Sequence, residues 1–352
     1  MPSLTDLPIA LALGLFALAA VAVWMGGSRL AVYISDLAER FGFSQGFAGM
    51  LFLGGITSLP EIATAGSAAV TGSADLAVSN LIGAASANIV LLVVADAMIA
   101  RTGIDSVVKS ASTLLQGVLG MVLMTGVAVI ALLGDREIGG SAIGFGTAGL
   151  FAACALAMWR AGRYEDHPGW TVAPTDRRRA GEPEEEAPNP TRTPVLIGKT
   201  VAAAAVILVA GFVLSQTADS IAQATGVSAG LVGLVLVGFA TSLPELSSIV
   251  SAVRIKRFDL AVGDIFGTNI FNIAILFIVD IAYRDGLALA GEGMFEGIAA
   301  LLGVGVIGVF MLGLLERRSR TVLRLGYASW STLAAYGAGL TVLWFIQPSS
   351  GG

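Results

Sequence analysis

Two glutamates lie in identical pentapeptides within apolar stretches of the chain. Thr57-Ser58-Leu59-Pro60-Glu61 recurs as Thr241-Ser242-Leu243-Pro244-Glu245, and neither glutamate has an evident Lys or Arg partner at the same depth. An ionisable side chain in the middle of an apolar span is costly unless it is paired, protonated or facing a polar cavity. A protonated glutamic acid bonded to a neighbouring helix explains one such residue. The same residue at corresponding places in two segments favours a shared cation, which Glu61 and Glu245 would bind together.

Each glutamate directly follows a proline. Pro60 and Pro244 supply no N–H and push on the carbonyl four residues back. The carbonyls predicted to lose their helical partners are those of Ile56, Thr57, Ala240 and Thr241. Freed carbonyls at membrane depth persist only where they line a cavity or bind a ligand. A packing kink explains one proline but not two, each adjoining Thr-Ser and Glu, so both segments are predicted to be broken binding helices.

A second pair of apolar segments supplies uncharged oxygen atoms. Asn88 and Asn272 are central in their spans and offer amide carbonyls, while Ser86 and Thr268 add hydroxyls. Hydrogen bonds between helices are the alternative role for these side chains. Such hard donors suit Ca²⁺, Na⁺ or Mn²⁺, and they argue against a metal that prefers thiolate or imidazole. Two ionised glutamates balance one divalent or two monovalent cations, which gives a physical basis for exchange.

Three aspartates in the apolar spans are interpreted differently from the two glutamates. Asp96 and Asp280 lie towards the ends of their spans and are predicted to be interfacial or helix-end groups. Asp264 lies about one turn into its helix. It either attracts cations at the inner mouth of the site or favours the helix N-terminus, and we expect the second role.

The composition places most of the chain in lipid. Of 352 residues, 55% are hydrophobic and 13% are charged, whereas soluble globular chains carry roughly 25% charge. The composition excludes an ordinary soluble enzyme. The net charge of −5 and the absence of a broad arginine stripe argue against a nucleic-acid partner. A single cysteine, Cys154, and a single histidine, His167, exclude an internal disulfide and a Cys/His zinc site, and we expect no cofactor.

Ten apolar runs are long enough to cross a bilayer core of about 30 Å, which predicts an all-α integral membrane protein. They lie near residues 7–27, 46–70, 76–100, 111–133, 140–160, 195–217, 228–253, 260–283, 294–315 and 326–346. The first run lacks the basic start of a cleavable signal peptide and should remain as a membrane helix. With both termini external, all but two of the 20 Lys and Arg residues fall in cytoplasmic loops, as the positive-inside rule requires. A prokaryotic plasma membrane is the simplest location.

An internal repeat divides the chain into two halves. Besides the pentapeptide, Asp75-Leu76-Ala77-Val78 recurs 184 residues later as Asp259-Leu260-Ala261-Val262. Each half holds five helices, an odd number, so the two copies must enter the membrane from opposite sides. We expect two inverted five-helix repeats, 1–160 and 195–352, joined by a flexible cytoplasmic linker over the Pro- and Glu-rich residues 161–194. Inverted repeats are a transporter architecture with the substrate site near the midplane.

The segments 54–96 and 238–280 resemble the two alpha repeats of the calcium/cation antiporter superfamily, most closely the sodium/calcium exchanger branch of prokaryotic type. The resemblance implies that Glu61 and Glu245 are the central Ca²⁺ ligands. It further implies backbone oxygens from Thr57, Thr241, Gly54 and Gly238, Na⁺ sites formed with Ser58 and Ser242, and completing ligands from Asn88, Thr268 and Asn272. Ser86 and Asp264 are two further candidate ligands, which follow from their positions in the spans rather than from the resemblance.

Two departures from the family pattern bear on the coupling ion. Ala84 lacks the hydroxyl expected from a family Ser or Thr, which affects one flanking Na⁺ site. Asn272 stands where potassium-dependent relatives carry Asp, so we expect no K⁺ co-transport.

The expected function is therefore export of Ca²⁺ against Na⁺ entry by alternating access. The resemblance implies that the first and sixth helices slide past a fixed core, and we expect the protein to act as a monomer. A proton-coupled antiporter on the same scaffold is the alternative. A channel gives no reason for two inverted, proline-broken helices, and an intramembrane enzyme lacks a nucleophile–base pair.

Overall fold

A computed structural model of the protein describes residues 8–99, 103–108, 110–140, 143–166, 191–224, 241–289, 293–317 and 321–346. The first half is helical apart from its connecting loops, one of which contains an isolated β-bridge between Glu137 and Gly144. Its elements are α1 Ile9–Phe41, α2 Gln45–Ala48, a π-helical turn Gly49–Leu53, α3 Gly54–Thr57, α4 Leu59–Val70, α5 Ala74–Ile99, α6 Ile104–Val107, α7 Ala111–Leu133 and α8 Phe145–Asp166.

The second half is also helical, apart from one short antiparallel strand pair. Its elements are α9 Thr193–Ala224, α10 Leu243–Arg254, α11 Phe258–Ala282, α12 Met294–Glu316, β1 Thr321–Val322, β2 Leu325–Gly326 and α13 Tyr327–Ile346. The predicted linker 161–194 is too long at both ends, because α8 continues to Asp166 and α9 begins at Thr193. Residues 167–190 lie outside the described ranges.

Six of the described helices, α1, α5, α7, α9, α11 and α12, are long and apolar enough to cross a membrane, and the bent segment from α2 to α4 brings the number to seven. The protein is therefore an all-α, multi-pass membrane protein. The predicted runs 140–160 and 326–346 coincide with α8 and α13, while the run 228–253 is described only from residue 241 onwards.

The first helix is longer than the apolar run that predicted it. The run ends at 27, but α1 continues to Phe41 because Leu30, Ile34 and Ala38 are buried at helical spacing. The helix ends at Gly42, whose φ of 71° is readily adopted by glycine and whose N–H bonds to the Ala38 carbonyl.

The helix α11 is the centre of the bundle. In its most apolar window 72% of the residues are buried, compared with 22% in α1. It packs against α5, α7, α8, α10 and the segment from α2 to α4, whereas α1 packs mainly along α9 and α10. Side chains on almost every face of α11 therefore point into protein rather than lipid.

Asp96 and Asp280 anchor chain segments at helix ends, as predicted. The Asp96 carboxylate accepts hydrogen bonds from the Ile104 N–H, the Gly326 N–H and the Ser329 hydroxyl, each at 2.6 Å. Its repeat counterpart Asp280 accepts from the Ala288 N–H at 2.8 Å and from the Gly144 N–H and Thr147 hydroxyl at 2.7 Å. Each aspartate thus fixes a following loop of its own half and the start of the last helix of the other half.

We expect Asp96→Ala and Asp280→Ala each to lower the unfolding temperature of the purified protein. Each change leaves buried N–H donors without partners, which costs about 1–3 kcal/mol per group. Thermal unfolding in detergent measures the effect, with Asp75→Ala at the exposed start of α5 as the control. Unfolding temperatures equal to that of the control would contradict the anchoring role.

Candidate cation-binding site

In both predicted binding segments, the proline lies in the first turn of a helix. The α3 helix ends at Thr57 and α4 begins at Leu59, with a 43° bend that confirms a broken helix in the first half. Pro60 is in the first turn of α4, where its missing N–H removes no helical bond. In the second half, α10 begins at Leu243 with Pro244 in the same position. The residues that precede it, 225–240, lie outside the described ranges.

Glu61 and Glu245 occupy equivalent places in the first turns of α4 and α10. The N-terminal turn of a helix favours a carboxylate, because its N–H groups point towards the charge. Both side chains are buried, with 3% of Glu61 and none of Glu245 exposed. One oxygen of Glu61 and both oxygens of Glu245 accept no hydrogen bond within the described structure.

No basic side chain neutralises these glutamates within the described ranges. The ion pair found there joins Arg257 to Glu39 at the surface. The described residues also contain no group of three or more His, Cys, Asp or Glu side chains placed to hold a metal ion. A cation bound between Glu61 and Glu245 therefore needs hydroxyl, amide or carbonyl oxygens as further ligands.

Such oxygens surround the break in the first half. The Ser58 hydroxyl donates to the Gly54 carbonyl at 2.7 Å, and the Thr57 hydroxyl lies 3.3 Å from the same carbonyl. Both side chains are fully buried. Thr57 also reaches across to α11, where its hydroxyl is 3.4 Å from that of Thr268. The break thus brings first-half hydroxyls next to a second-half hydroxyl, as a site between the repeats requires.

Asp264 lies inside this site, so the prediction that it serves a helix N-terminus is wrong. Asp259 occupies the first turn of α11, and Asp264 is further along the helix and fully buried. Its Oδ2 accepts a hydrogen bond from Ser248 of α10, and its Oδ1 lies 3.4 Å from the Thr57 hydroxyl. The region therefore holds three buried acidic groups rather than two.

The paired asparagines are buried where α5 and α11 cross. The Asn88 amide donates to the side-chain oxygen of Asn269 at 3.3 Å, and Asn269 in turn donates to the Ala85 carbonyl at 2.9 Å. The Asn88 oxygen and both polar atoms of Asn272 have no partner within the described structure. Asn269 was not predicted as a site residue, because its repeat counterpart is Ala85 and only one half carries the amide.

The remaining predicted residues divide into three cases. Thr241 is buried and Ser242 is half-buried at the start of α10. Ser86 lies on a different face of α5 from Asn88. Its hydroxyl faces α12 and would stand 2.9 Å from a Cβ on Gly303. Gly238 lies outside the described residues.

Glycines let the first binding segment lie directly against α11. A Cβ on Gly263 would overlap the carbonyl of Gly46, and a Cβ on Gly267 would overlap the backbone of Met50. Contact of backbone with backbone is typical of small residues at membrane helix crossings. Gly267 is therefore at a tight helix crossing, whereas a Cβ on its repeat counterpart Gly83 would meet no described atom within 4 Å.

The start of each binding helix packs against the first helix of the opposite half. A Cβ on Gly211 of α9 would stand 2.5 Å from the Pro60 ring, and one on Gly27 of α1 would overlap the Ser247 hydroxyl and stand 3.0 Å from the Pro244 carbonyl oxygen. Gly27 and Gly211 are themselves 184 residues apart. The first helix of each half therefore lies across the binding helix of the other half.

A helical membrane bundle with buried, unpaired carboxylates beside broken helices is the architecture of an ion transporter. The chain belongs to the sodium/calcium exchanger protein family, whose sequence profile matches residues 11–160 and 195–346. This membership confirms the resemblance to the calcium/cation antiporter superfamily. The protein is accordingly a membrane exchanger of cations.

Two relatives and one solved structure are similar to this chain over most of their length. CaxA of Alkalimonas amylolytica, a candidate antiporter, is 28% identical over 304 residues, which cover 85% of this chain and 89% of CaxA. The inner membrane protein YrbG of Escherichia coli strain K12 is 28% identical over 272 residues, 74% of this chain and 78% of YrbG. A solved structure of the sodium-calcium exchanger NCX_Mj matches with a TM-score of 0.70 at 18% identity, over 95% of this chain and 99% of NCX_Mj.

We expect Gly267→Ala to destabilise the protein, because the added methyl group would overlap the backbone of Met50 and push α11 away from the first binding segment. The cost of overpacking is typically about 1–3 kcal/mol. Thermal unfolding in detergent tests this, with Gly305→Ala on the exposed face of α12 as the control. A Gly267→Ala protein as stable as the control would show that close contact with Met50 is not required.

Proposed function

We propose that the protein exchanges Ca²⁺ for Na⁺ across the membrane by alternating access, with Glu61 and Glu245 as the central ligands near the midplane. The observation that carries the proposal is that both carboxylates are buried and have oxygens without hydrogen-bond partners in the described structure. A buried ionised carboxylate requires a compensating charge. A transported cation supplies that charge.

The coupling of the two ions follows from this requirement. Two carboxylates balance one Ca²⁺ or two Na⁺, so the ions compete for the same charge. A site that held neither ion would expose two bare carboxylates to a low-dielectric interior during the conformational change. Movement of the empty site is therefore disfavoured, and each crossing carries a cation. The similar fold of NCX_Mj, a sodium-calcium exchanger, supports this pair of ions.

The ligand set of the proposal combines both repeats. Glu61 binds the cation together with Thr57, Ser58 and Gly54. Glu245 binds it together with Thr241, Ser242 and Gly238. Asn88, Thr268 and Asn272 contribute from the crossing of α5 and α11. All these ligands are hard oxygen donors, and Ca²⁺ takes six to eight such oxygens. The unpartnered oxygens of Asn88 and Asn272 support their place in the set.

We propose ten transmembrane helices arranged as two inverted five-helix repeats. The matching contacts of Pro60 with Gly211 and of Pro244 with Gly27 support a pseudo-twofold relation between the halves. The matching hydrogen bonds of Asp96 and Asp280 support it as well. In the resulting orientation both termini are external, the linker 161–194 is cytoplasmic, and the protein acts as a monomer in a prokaryotic plasma membrane.

The moving parts of the proposal are the first and sixth helices, α1 and α9. They pack along each other, and each crosses the binding helix of the other half. Sliding of this pair past the glycine-packed core of α11 would expose the glutamates to one side of the membrane and then to the other.

Coupling to H⁺ on the same scaffold is the second candidate. The observation that favours it is Ala84, which offers no hydroxyl at a place where the family resemblance leads us to expect one for Na⁺. In that case Glu61 and Glu245 would accept protons in place of Na⁺.

Reconstituted protein should take up radioactive Ca²⁺ when an outward Na⁺ gradient is imposed and the pH is clamped by an ionophore. Glu61→Gln and Glu245→Gln should each reduce uptake to the level of protein-free liposomes, because each removes one of the two charges that balance Ca²⁺. Glu137→Gln, in the exposed loop before α8, is the control and should transport normally.

The outcomes separate the two coupling ions. Uptake that follows a proton gradient and ignores the Na⁺ gradient would replace sodium coupling with proton coupling. Normal uptake by either glutamate variant would overturn the assignment of the central site.

A further inference from the structure

We propose that Asn269 is a positioning residue, which turns the Asn88 amide so that its oxygen, rather than its NH2 group, is available to the transported cation. Asn88 lies on α5 and Asn269 on α11, and both side chains are 1% exposed. The inference rests on the proposed function, in which Asn88 is a cation ligand. Asn269 acts through Asn88 and needs no contact of its own with the ion.

The orientation of the Asn269 amide is fixed by a backbone carbonyl. The side-chain nitrogen of Asn269 lies 2.9 Å from the carbonyl oxygen of Ala85 on α5. A carbonyl oxygen only accepts hydrogen bonds, so the part of the Asn269 amide next to it must be the NH2 group. The side-chain oxygen of Asn269 is therefore directed away from the Ala85 carbonyl, and it can only accept.

The orientation of Asn269 determines that of Asn88. The Asn88 side-chain nitrogen lies 3.3 Å from the Asn269 side-chain oxygen, to which it donates. Because that oxygen offers only lone pairs, Asn88 must present its NH2 group to it. The Asn88 oxygen is then left buried without a hydrogen-bond partner among the described residues. Buried acceptors are normally paired, and a cation is the partner that the proposed function supplies.

The opposite orientation of the Asn88 amide would hinder cation binding. It would place N–H donors, which have no lone pair for a metal ion, where the ligand oxygen is needed. An apolar side chain at position 269 would offer a partner to neither end of the Asn88 amide, so neither orientation would be favoured by a bond there. Residues that orient a metal ligand in this way typically contribute about 10–100-fold to metal affinity.

The bond from Asn269 to Ala85 lies close to the pseudo-twofold axis of the proposed inverted repeat. Ala85 and Asn269 are 184 residues apart and are therefore each other's repeat counterparts. Two counterparts can be in direct contact only next to the axis that relates them. Asn88 and Asn272 are counterparts as well, so the same axis relates the two amides that the proposed function uses as ligands.

The repeat is broken at this contact, so only one of the two ligand amides is oriented. The bond equivalent to that between Asn88 and Asn269 would join Asn272 to residue 85, which is alanine. Both polar atoms of Asn272 accordingly lack a partner in the described structure. Asn269 therefore positions the first-half ligand alone, whereas Asn272 is oriented by the cation when it binds.

The test is a double-mutant cycle on the Ca²⁺ affinity of the full-length protein in detergent, measured by isothermal titration calorimetry without Na⁺. Asn269→Leu keeps the approximate volume of the side chain and removes both hydrogen bonds. It should raise the dissociation constant for Ca²⁺ by about 10–100-fold, nearly as much as Asn88→Ala. The double variant should bind Ca²⁺ no more weakly than Asn88→Ala alone, because Asn269 acts only through Asn88.

Asn272→Ala is the matched control for this cycle. It removes the counterpart amide, which makes no hydrogen bond to Asn269 in the described structure. The losses of affinity caused by Asn272→Ala and Asn269→Leu should therefore multiply in the double variant.

Thermal unfolding separates positioning from packing. Asn269→Leu should lower the unfolding temperature even in the Asn88→Ala background, where its bond to Ala85 is still lost, but it should change the Ca²⁺ affinity only when Asn88 is present. Asn269→Ala removes the same two bonds with a smaller side chain, and it replaces Asn269→Leu in the cycle if that variant does not fold.

Two results would overturn the positioning role: an Asn269 variant that binds Ca²⁺ as tightly as wild type, or losses that multiply when it is combined with Asn88→Ala. Absence of Na⁺-driven Ca²⁺ uptake by the wild-type protein would instead refute the proposed exchange alone, because calorimetry measures binding rather than transport.

Discussion

The burial of unpaired carboxylates inside an apolar bundle is the constraint on which the rest of this structure depends. Glu61 and Glu245 are buried, and no basic side chain of the described residues pairs with them. The features around them lower the cost of that burial. Both glutamates lie in N-terminal helical turns, and the break just before α4 brings the hydroxyl of Thr57 next to that of Thr268 in α11. Proline at the start of each helix sets where the N-terminal turn begins.

Two kinds of buried carboxylate can be distinguished in this chain by their hydrogen bonds. Both oxygens of Asp96 and of Asp280 are occupied by N–H and hydroxyl donors, so these residues hold the bundle together. Neither oxygen of Glu245 accepts a hydrogen bond from the residues that the structure describes. A carboxylate saturated by donors has no capacity left for an ion, whereas one without donors requires an ion or a proton. The same residue chemistry thus serves the scaffold at the helix ends and the proposed transport site in the centre.

Features that occur in both halves were predictable from the sequence. The two glutamates, the two prolines and the helix-end aspartates each have a repeat counterpart, and repetition distinguishes them from isolated polar residues. Asp264 and Asn269 have Asn80 and Ala85 as counterparts, so the repeat gives no signal for them. Their role depends on which face of α11 meets α3 and α5, and only the packing of the helices determines that face. The apolar run 7–27 ends before α1 does, because a hydropathy pattern detects residues that face lipid. The last turns of α1 are instead buried against protein.

The most direct measurement is the anomalous scattering of a crystal of the full chain grown with Sr²⁺ in place of Ca²⁺. A bound ion between the carboxylates of Glu61 and Glu245, absent from crystals of Glu245→Gln, is the expected result. Anomalous density confined to surface carboxylates would contradict it, particularly if the Glu61 and Glu245 side chains were hydrogen-bonded to neighbouring helices as protonated acids.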